Sequence, residues 1–363
     1  MPHAVTPAEL PNVRTPERPR IMGGMFGFPE HLEYVGERRL PFSLDRALCL
    51  ANGRCALLML IRHLKPNRVW IPAYLCPSVI MAVKASGVEL KYFATDFDLQ
   101  VVPGALDDVR AGDLVDIIDY FGFPADRALM RRCREVGAWV LEDACQAMLT
   151  AGLGEDADFV LTTPRKFVGI PDAGILVSLR DDIDLTQIPL EPPPAHWWML
   201  TFSAAILRRD FDIYGGDRAW FTQYQELEED MPLGPYAMSD SSRMLLTTAF
   251  DYEDNARRRI ENYRVLHEAL APFALYPSLP DGVVPLGYPI RLANRDEVRQ
   301  RLYAAEIFPP VHWPFPGHLP ESFTESYRLQ RHIMMLPCDQ RCTTDDMQRI
   351  IDIVRPAGVP VAR

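Results

Sequence analysis

Apolar and polar residues along the first half of this chain follow two alternating patterns. Short runs rich in β-branched and aromatic residues predict strands, and amphipathic segments of about ten residues lie between them. The predicted strands cover 68–74, 88–95, 114–122, 138–144, 156–162 and 173–179, and the predicted helices cover 52–65, 77–87 and 126–137. This alternation indicates βαβ units and therefore an α/β fold, with a largely parallel sheet between two layers of helices.

The pattern changes in the second half of the chain. The segment 190–211 has a proline break followed by a helical pattern, and a second helical pattern covers 223–230. A long helix, a strand and two helices are predicted at 252–273, 286–294, 295–307 and 345–356. These elements indicate a smaller α+β unit after the large one. We therefore predict an N-terminal arm at 1–44, a large domain at 45–254 with a helical insertion at about 181–250, and a small C-terminal domain at 255–363.

Composition and charge exclude several classes of protein. The chain has 363 residues, of which 48% are hydrophobic, and its formal net charge is −11. An acidic chain of this kind does not suit nucleic acid, whose binding needs many phosphate contacts from a basic surface. The sequence contains no apolar run of roughly 18 residues, the length that a membrane span requires. We expect neither nucleic acid nor a membrane as a partner.

The cysteines indicate a reducing compartment. Seven cysteines are scattered along the chain, which does not fit a disulfide framework. Cys338 and Cys342 are four residues apart, but no second pair of Cys or His residues lies near them, so we expect no metal site. Their mostly apolar surroundings favour reduced thiols in the cytoplasm. The proline-rich first 20 residues lack the apolar core of a signal peptide.

One lysine lies where ligands of a parallel sheet usually bind. The chain has only four lysines, namely Lys65, Lys84, Lys91 and Lys166. The first three are at helix ends or exposed strand positions, where a solvated surface charge is expected. Lys166 follows the strand at 156–162, and such sheets bind ligands beyond the carboxyl ends of their strands. A partly desolvated amine beside Arg165 would lose its proton more easily and become a nucleophile towards carbonyl groups.

Two further features fit pyridoxal phosphate (PLP), an aldehyde cofactor that forms a Schiff base with lysine. Asp143 ends the strand at 138–144 and could keep the pyridine nitrogen protonated, although an acidic residue there is often only a helix cap. The turn at 52–55 opens a helix and could hold a phosphate through free N–H groups and the helix dipole. It is also an ordinary N-cap signal, but the three features together favour a PLP site.

These segments together resemble the DegT/DnrJ/StrS family of sugar aminotransferases, which are fold-type-I PLP enzymes. The resemblance extends from about 45 to 353 and rests on NGRCAL, IPAYLCPSVIMAV, DYFGFP, LEDACQA, TTPRKFVGIPDAG, VHWP and LPCDQR. It implies a large domain with a mostly parallel seven-stranded sheet between helices, and a smaller C-terminal α+β domain. It also implies a homodimer with active sites at the subunit interface.

The resemblance further implies roles for individual residues. Lys166 would form the Schiff base and move a proton between cofactor and substrate carbons, Asp143 would pair with the pyridinium nitrogen, and Gln146 would bond the ring hydroxyl. The other residues implied to contact the cofactor are Gly53, Arg54, Cys55 and Thr163 at the phosphate and Tyr74 or Tyr120 at the ring. Candidate contacts to the substrate or the partner subunit are Tyr120, Ser241, Arg243 and His312.

The chain departs from the family pattern at three places. Arg54 and Cys55 replace the Ser or Thr that usually follows the phosphate-loop glycine. Cys76 takes the position of an aromatic residue that stacks on the ring in many relatives. The family segment Gly-x-Asn-x-Arg, which reaches the partner's phosphate, has SDSSRM at 239–244 as its counterpart. Because relatives that act as sugar dehydrases have histidine at the lysine position, Lys166 favours amino transfer.

The sequence therefore predicts a PLP-dependent aminotransferase. We expect it to move an amino group from an amino acid, glutamate in our interpretation, to a keto-sugar nucleotide or related ketone in polysaccharide or natural-product biosynthesis. Lyase or cyclase chemistry on a non-sugar substrate is an alternative, for which the segment at 239–244 and the tryptophans at 197–198 leave room. Those tryptophans are more often helix core or dimer contact. A non-catalytic homologue is a third interpretation, against which Lys166, Asp143 and Gln146 argue together.

Overall fold

The elements of the first half of the chain follow the predicted order. A computed structural model describes residues 21–30, 40, 43–313 and 319–361, so most of the arm predicted at 1–44 lies outside the described residues. In chain order the elements are β1 (Met22–Gly23), β2 (Ala47–Leu50), α1 (Gly53–Leu64), β3 (Arg68–Pro72), α2 (Pro77–Ser86), β4 (Glu89–Phe93), β5 (Leu114–Ile118), α3 (Arg127–Glu135), β6 (Trp139–Asp143), β7 (Phe159–Thr162) and β8 (Gly174–Ser178).

Seven of these strands form one sheet in the order β2-β8-β7-β6-β5-β3-β4. Neighbouring strands from β4 to β7 pair in parallel, and β8 is antiparallel to both of its neighbours, β7 and β2. The prediction of a mostly parallel seven-stranded sheet is confirmed. The apolar pattern does not predict β2, because a run of four apolar residues, ALCL, cannot be assigned to a strand or a helix from its periodicity alone.

Local signals fix where the first helices begin and end. The side chain of Asn52 caps α1 by accepting a hydrogen bond from the Cys55 N–H at 2.9 Å. Gly87 ends α2 in the left-handed region, with φ of 76°. Since β2 ends at Leu50, the free N–H groups at the start of α1 lie at the same edge of the sheet as the carboxyl ends of β5, β6 and β7.

The second half of the chain contains the remaining elements. In chain order these are α4 (Ala195–Tyr214), α5 (Ala219–Glu229), α6 (Asp240–Thr248), α7 (Tyr252–Leu270), β9 (Tyr288–Arg291), α8 (Arg295–Ala304), β10 (Ile307–Phe308), α9 (Thr324–His332), β11 (Ile333–Leu336) and α10 (Thr344–Ala357). Strands β9 and β11 pair antiparallel, and β1 pairs in parallel with β10. The predicted domain boundary after residue 254 falls in the first turn of α7, and the division into domains stays a prediction.

Two apolar clusters place the sheet between its helical layers. One face of the sheet shares a continuous buried cluster with α1, α2 and the elements after α7. The other face packs against α3, where Met130 and Cys133 meet Val115 and Val140. The same buried cluster therefore continues from the large sheet into the C-terminal elements. Among the described residues, no helix combines the length and the apolar character needed to cross a membrane.

Candidate active site

A cavity of about 680 Å³ lies at the edge where the carboxyl ends of the parallel strands meet. The start of α1, the end of β6 and the turn after β7 border it on the large-domain side. Six of the residues predicted for the site line this one cavity, namely Gly53, Arg54, Asp143, Thr163, Lys166 and His312. Cys76, which the sequence predicts at the position of the family's stacking aromatic residue, lines it as well.

Lys166 and Asp143 reach the cavity from neighbouring strands. Asp143 is the last residue of β6 and pairs in register with Leu161 of β7. Its Oδ1 accepts a hydrogen bond from the Cys145 N–H at 2.9 Å, which holds the carboxylate in place. Lys166 ends a short 3₁₀ turn, Pro164–Lys166, that follows β7 directly. The turn brings an amine and a carboxylate to the same cavity.

The start of α1 forms a site suited to an anion. Arg54 is buried, its Nη2 donates to Ser78 Oγ at 3.1 Å, and its Nε has no hydrogen-bond partner among the described residues. The hydroxyl of Thr163 is also buried without a partner in that part of the chain. Two polar groups without partners thus lie beside the N–H groups of a helix N-terminus, which favours negative charge.

Gly174 allows the lysine segment to approach helix α1 closely. A Cβ atom at this position would lie 2.2 Å from the carbonyl oxygen of Asn52 and 2.7 Å from the nitrogen of Gly53. Both atoms belong to the backbone, so neither can move aside like the end of a flexible side chain. The glycine that ends TTPRKFVGIPDAG is therefore required by the packing of β8 against the start of α1.

His312 lies near the amine and is uncharged at neutral pH. Burial, together with the nearby positive charge of Lys166, lowers the pKa of His312 from 6.5 to about 3. Its Nδ1 is buried and has no partner within the described residues. A neutral imidazole in this position can donate or accept a hydrogen bond. It carries no charge, so it neither repels a cationic group nor attracts an anionic one through its charge.

Four predicted cofactor or substrate residues lie behind the cavity wall rather than in it. The hydroxyl of Tyr74 donates to the His312 carbonyl, and the hydroxyl of Tyr120 donates to the Tyr74 carbonyl. Gln146 Oε1 accepts from the Phe121 N–H at 2.9 Å. The remaining residue, Cys55, is buried, and its thiol contacts the Pro232 carbonyl at 3.2 Å. These four side chains support the wall through contacts with the backbone.

The segment at 239–244 does not line the cavity of its own chain. The hydroxyls of Ser239 and Ser242 donate to Asp172 Oδ1, each at 2.5 Å, and so tie the start of α6 to the lysine segment. Ser241 contacts the Ser239 hydroxyl at 3.0 Å, and Arg243 is exposed. A contact of Ser241 or Arg243 with a partner subunit stays a prediction.

The cavity also has walls that the sequence analysis does not predict. The arm contributes Gly23 to Phe26, and the C-terminal part contributes Tyr303, Phe308 and Trp313. Helix α5 covers the site with one face, formed by Trp220, Phe221, Tyr224 and Glu228. Their helical spacing is visible in the sequence, but a spacing alone does not show what a helix face covers.

The tryptophans at 197–198 lie outside the cavity lining. Trp197 is buried, and its indole N–H donates to the Leu227 carbonyl of α5 at 3.0 Å. Trp198 stacks on Phe202 within α4. The structure therefore places Trp197 in the packing of α4 against α5, whereas Trp220 of α5 lines the cavity.

The charges around the cavity favour anionic ligands. Five cationic side chains line it, against two carboxylates; they are Arg54, Arg165, Lys166, Arg218 and Arg299, with Asp143 and Glu228. This local excess of positive charge occurs in a chain whose formal net charge is −11. Within the described ranges, no group of three or more His, Cys, Asp or Glu residues is arranged to hold a metal ion.

Solved structures share this architecture. No protein-family model and no curated protein sequence matches the chain. A DegT/DnrJ/EryC1/StrS aminotransferase from Brucella abortus has 18% identity and a TM-score of 0.58, with 85% of each chain covered. The sugar aminotransferase CalS13 from Micromonospora echinospora has 16% identity and a TM-score of 0.59, with 86% of this chain and 87% of that chain covered.

A third structure is that of Spr1654 from Streptococcus pneumoniae in its PMP form. It has 14% identity and a TM-score of 0.65, with 85% of this chain and 87% of that chain covered. At these identities the likeness concerns the backbone and the order of its elements. The chain therefore has the fold of the DegT/DnrJ/EryC1/StrS aminotransferases.

Proposed function

We propose that this protein is a PLP-dependent aminotransferase that moves an amino group from an amino acid, with glutamate as the expected donor, to a keto-sugar nucleotide or a related ketone. The observation that carries the proposal is the meeting of Lys166, Asp143 and the anion site at the start of α1 on one cavity. The solved structures of similar fold support it, since they include sugar aminotransferases and a protein solved in PLP and PMP forms.

The residues that line the cavity fit three groups of the cofactor, namely its aldehyde, its ring nitrogen and its phosphate. When bound, pyridoxal phosphate supplies an aldehyde that condenses with amines and a ring that accepts electrons from the substrate carbon. Lys166 offers the amine for the aldehyde, and Asp143 offers a carboxylate for the ring nitrogen. The buried, unpartnered Nε of Arg54 and hydroxyl of Thr163, beside the start of α1, suit the phosphate.

The same residues define the work of the chain during amino transfer. Lys166 would hold the cofactor covalently and, once released, carry a proton between two carbon atoms as a general base and acid. Asp143 would keep a proton on the ring nitrogen. His312, being neutral, would bond to the substrate without adding charge. Helix α5 and its aromatic residues would limit the entry of water from one side.

Assembly and location complete the proposal. We infer a cytoplasmic homodimer with its active sites at the subunit interface, and a place in polysaccharide or natural-product biosynthesis. The dimer is supported by the resemblance of the sequence motifs, and the reducing compartment by the free state of all seven cysteines.

The test is trapping the covalent bond between lysine and cofactor. The purified protein should be yellow with PLP, and reduction with borohydride should attach the cofactor to Lys166 among the four lysines. Glutamate should bleach the colour in the unreduced protein. Lys166→Ala should abolish the covalent attachment and keep the circular dichroism spectrum, whereas Lys84→Ala, at an exposed position of α2, should change neither.

The outcomes separate the alternatives. A colourless protein that takes up no PLP would favour a non-catalytic homologue. Colour that no amino donor alters would remove amino transfer and favour lyase or cyclase chemistry. Attachment of the reduced cofactor to any other lysine would contradict the assignment of Lys166.

A further inference from the structure

Arg165 occupies a special position beside the reactive lysine. It directly precedes Lys166 in the 3₁₀ turn after β7, and both side chains line the same cavity. The Arg165 side chain is 24% exposed, so its guanidinium is accessible from the cavity. Burial lowers the pKa of Arg165, but the charges and hydrogen bonds of Glu228 and Tyr224 raise it above its ordinary value. The guanidinium is therefore a permanent cation next to the amine.

A carboxylate of the covering helix holds this cation. Arg165 Nη1 donates to Glu228 Oε1 at 2.7 Å, and the Glu228 side chain is 32% exposed towards the same cavity. Arg165 Nε is buried and has no partner among the described residues. A guanidinium has five N–H donors arranged to bind a carboxylate with two parallel bonds. The pair with Glu228 leaves that capacity partly unused.

We propose that Arg165 binds the α-carboxylate of the amino donor, in competition with Glu228 of helix α5. The inference rests on the proposed function. In an amino acid the α-carboxylate is attached to the carbon that bears the reacting amine, so its anchor must lie close to Lys166. Arg165 directly precedes that lysine in the 3₁₀ turn, and its side chain lines the same cavity. The cofactor phosphate has a separate site at Arg54, Thr163 and the start of α1.

The competition gives Glu228 a definite role. Its carboxylate takes the place on Arg165 that the donor's carboxylate needs, so the donor must displace it. A donor without an α-carboxylate cannot replace this ion pair and leaves Arg165 bound to Glu228. Glu228 therefore sets how strongly the site discriminates between carboxylates and neutral analogues.

Binding of a simple carboxylate tests this site without requiring turnover. Propionate and propionamide have the same carbon skeleton and differ in charge, and their affinities for the PLP-loaded protein can be measured by ligand-observed NMR. We expect wild type to prefer propionate by about tenfold, the value of one charge-assisted hydrogen bond. Arg165→Gln should remove this preference, Arg165→Lys should restore part of it, and Glu228→Gln should strengthen propionate binding by about threefold.

Glu226→Gln is the matched control, because it makes the same change at an exposed position of the same helix. It should leave propionate affinity within about twofold of wild type. The rate at which the PLP-loaded protein reacts with an amino donor gives a second readout. Arg165→Gln should lose the preference for glutamate over its α-amide in this reaction, and its affinity for PLP should stay unchanged. If Arg165→Gln does not fold, Glu228→Gln still tests the competition.

Several results would overturn the inference. Equal affinity of wild type for propionate and propionamide, or an unchanged preference in Arg165→Gln, would exclude a carboxylate site. Weaker PLP binding in Arg165→Gln with intact donor preference would assign Arg165 to the cofactor phosphate instead. If wild type binds propionate but converts no amino donor, the proposed function fails while the carboxylate site stands.

Discussion

Replacing Arg54 with methionine should weaken the binding of PLP strongly but change the free energy of unfolding of the cofactor-free protein only slightly. Arg54 is 9% exposed, donates one hydrogen bond to Ser78 and has a buried Nε without a partner in the described part of the chain. Burial lowers the pKa of its guanidinium, which indicates that the folded protein solvates this charge poorly. Methionine keeps an unbranched apolar stem and removes the charge.

The expected effects on affinity and on stability differ in size. A hydrogen bond to a charged group contributes about 1.5–3 kcal/mol, so the dissociation constant for PLP should rise by about 10- to 100-fold. The N–H groups of α1 remain and should keep residual binding. The cofactor-free protein should lose less than about 1 kcal/mol, because it loses the bond to Ser78 but no longer buries a poorly solvated cation.

Two titrations check the prediction. PLP affinity is measured from the change in absorbance on titration, and the free energy of unfolding from urea denaturation without cofactor. Arg62→Met, at an exposed position in the last turn of the same helix, should change the free energy of unfolding by no more than about 0.5 kcal/mol and leave PLP affinity unchanged. Unchanged PLP affinity in Arg54→Met, or a parallel loss of stability and affinity, would refute the reasoning.

Four further predictions concern residues at and around the site. Gly174→Ala should lower the free energy of unfolding by about 1–3 kcal/mol, because its Cβ would lie 2.2 Å from the Asn52 carbonyl; wild-type stability in urea would contradict this. Tyr74→Phe should cost about 1 kcal/mol in thermal unfolding through loss of its bond to the His312 carbonyl, and no loss would show that the bond contributes nothing. His312 should stay neutral from pH 8 to pH 5, so its ring proton NMR signals should not move; a transition near pH 6.5 would exclude the lowered pKa. Because folding lowers this pKa, the contribution of the neutral ring to the free energy of unfolding is fully present above pH 6.5 and is lost as the pH falls towards 3. The free energy of unfolding of His312→Gln should therefore decrease less than that of wild type between pH 6.5 and 3.

Apart from His312, the cavity residues that the sequence predicts are those that follow strand ends. Asp143 and Lys166 are far apart in the chain, but parallel strands place their carboxyl ends at one edge, so the order of elements is enough to bring them together. The start of α1 belongs to the same edge because β2 precedes it. Topology therefore determines this half of the cavity.

The remaining walls depend on packing that no local pattern shows. Phe26 lies in the arm, Trp220 in helix α5 and Tyr303 in helix α8, and each reaches the cavity only through the way its segment docks. The direction in which a side chain points is likewise not predicted by a local sequence pattern. Tyr74 and Gln146 lie in segments that resemble the family, yet their polar groups bond to backbone atoms of the wall. A matching motif identifies a position but not the face to which its side chain points.

Two arginines at the cavity, Arg54 and Arg165, interact electrostatically with Glu228 of helix α5. Arg54 and Arg165 line the same cavity, and their positive charges repel each other. This repulsion lowers the pKa of each guanidinium. Burial lowers the pKa of both, whereas the Glu228 charge raises it. Two cations in a partly buried cavity need a carboxylate nearby, and Glu228 supplies it from the same chain. Substitutions of Arg54, Arg165 and Glu228 should therefore not be additive, since each changes the electrostatic environment of the other two.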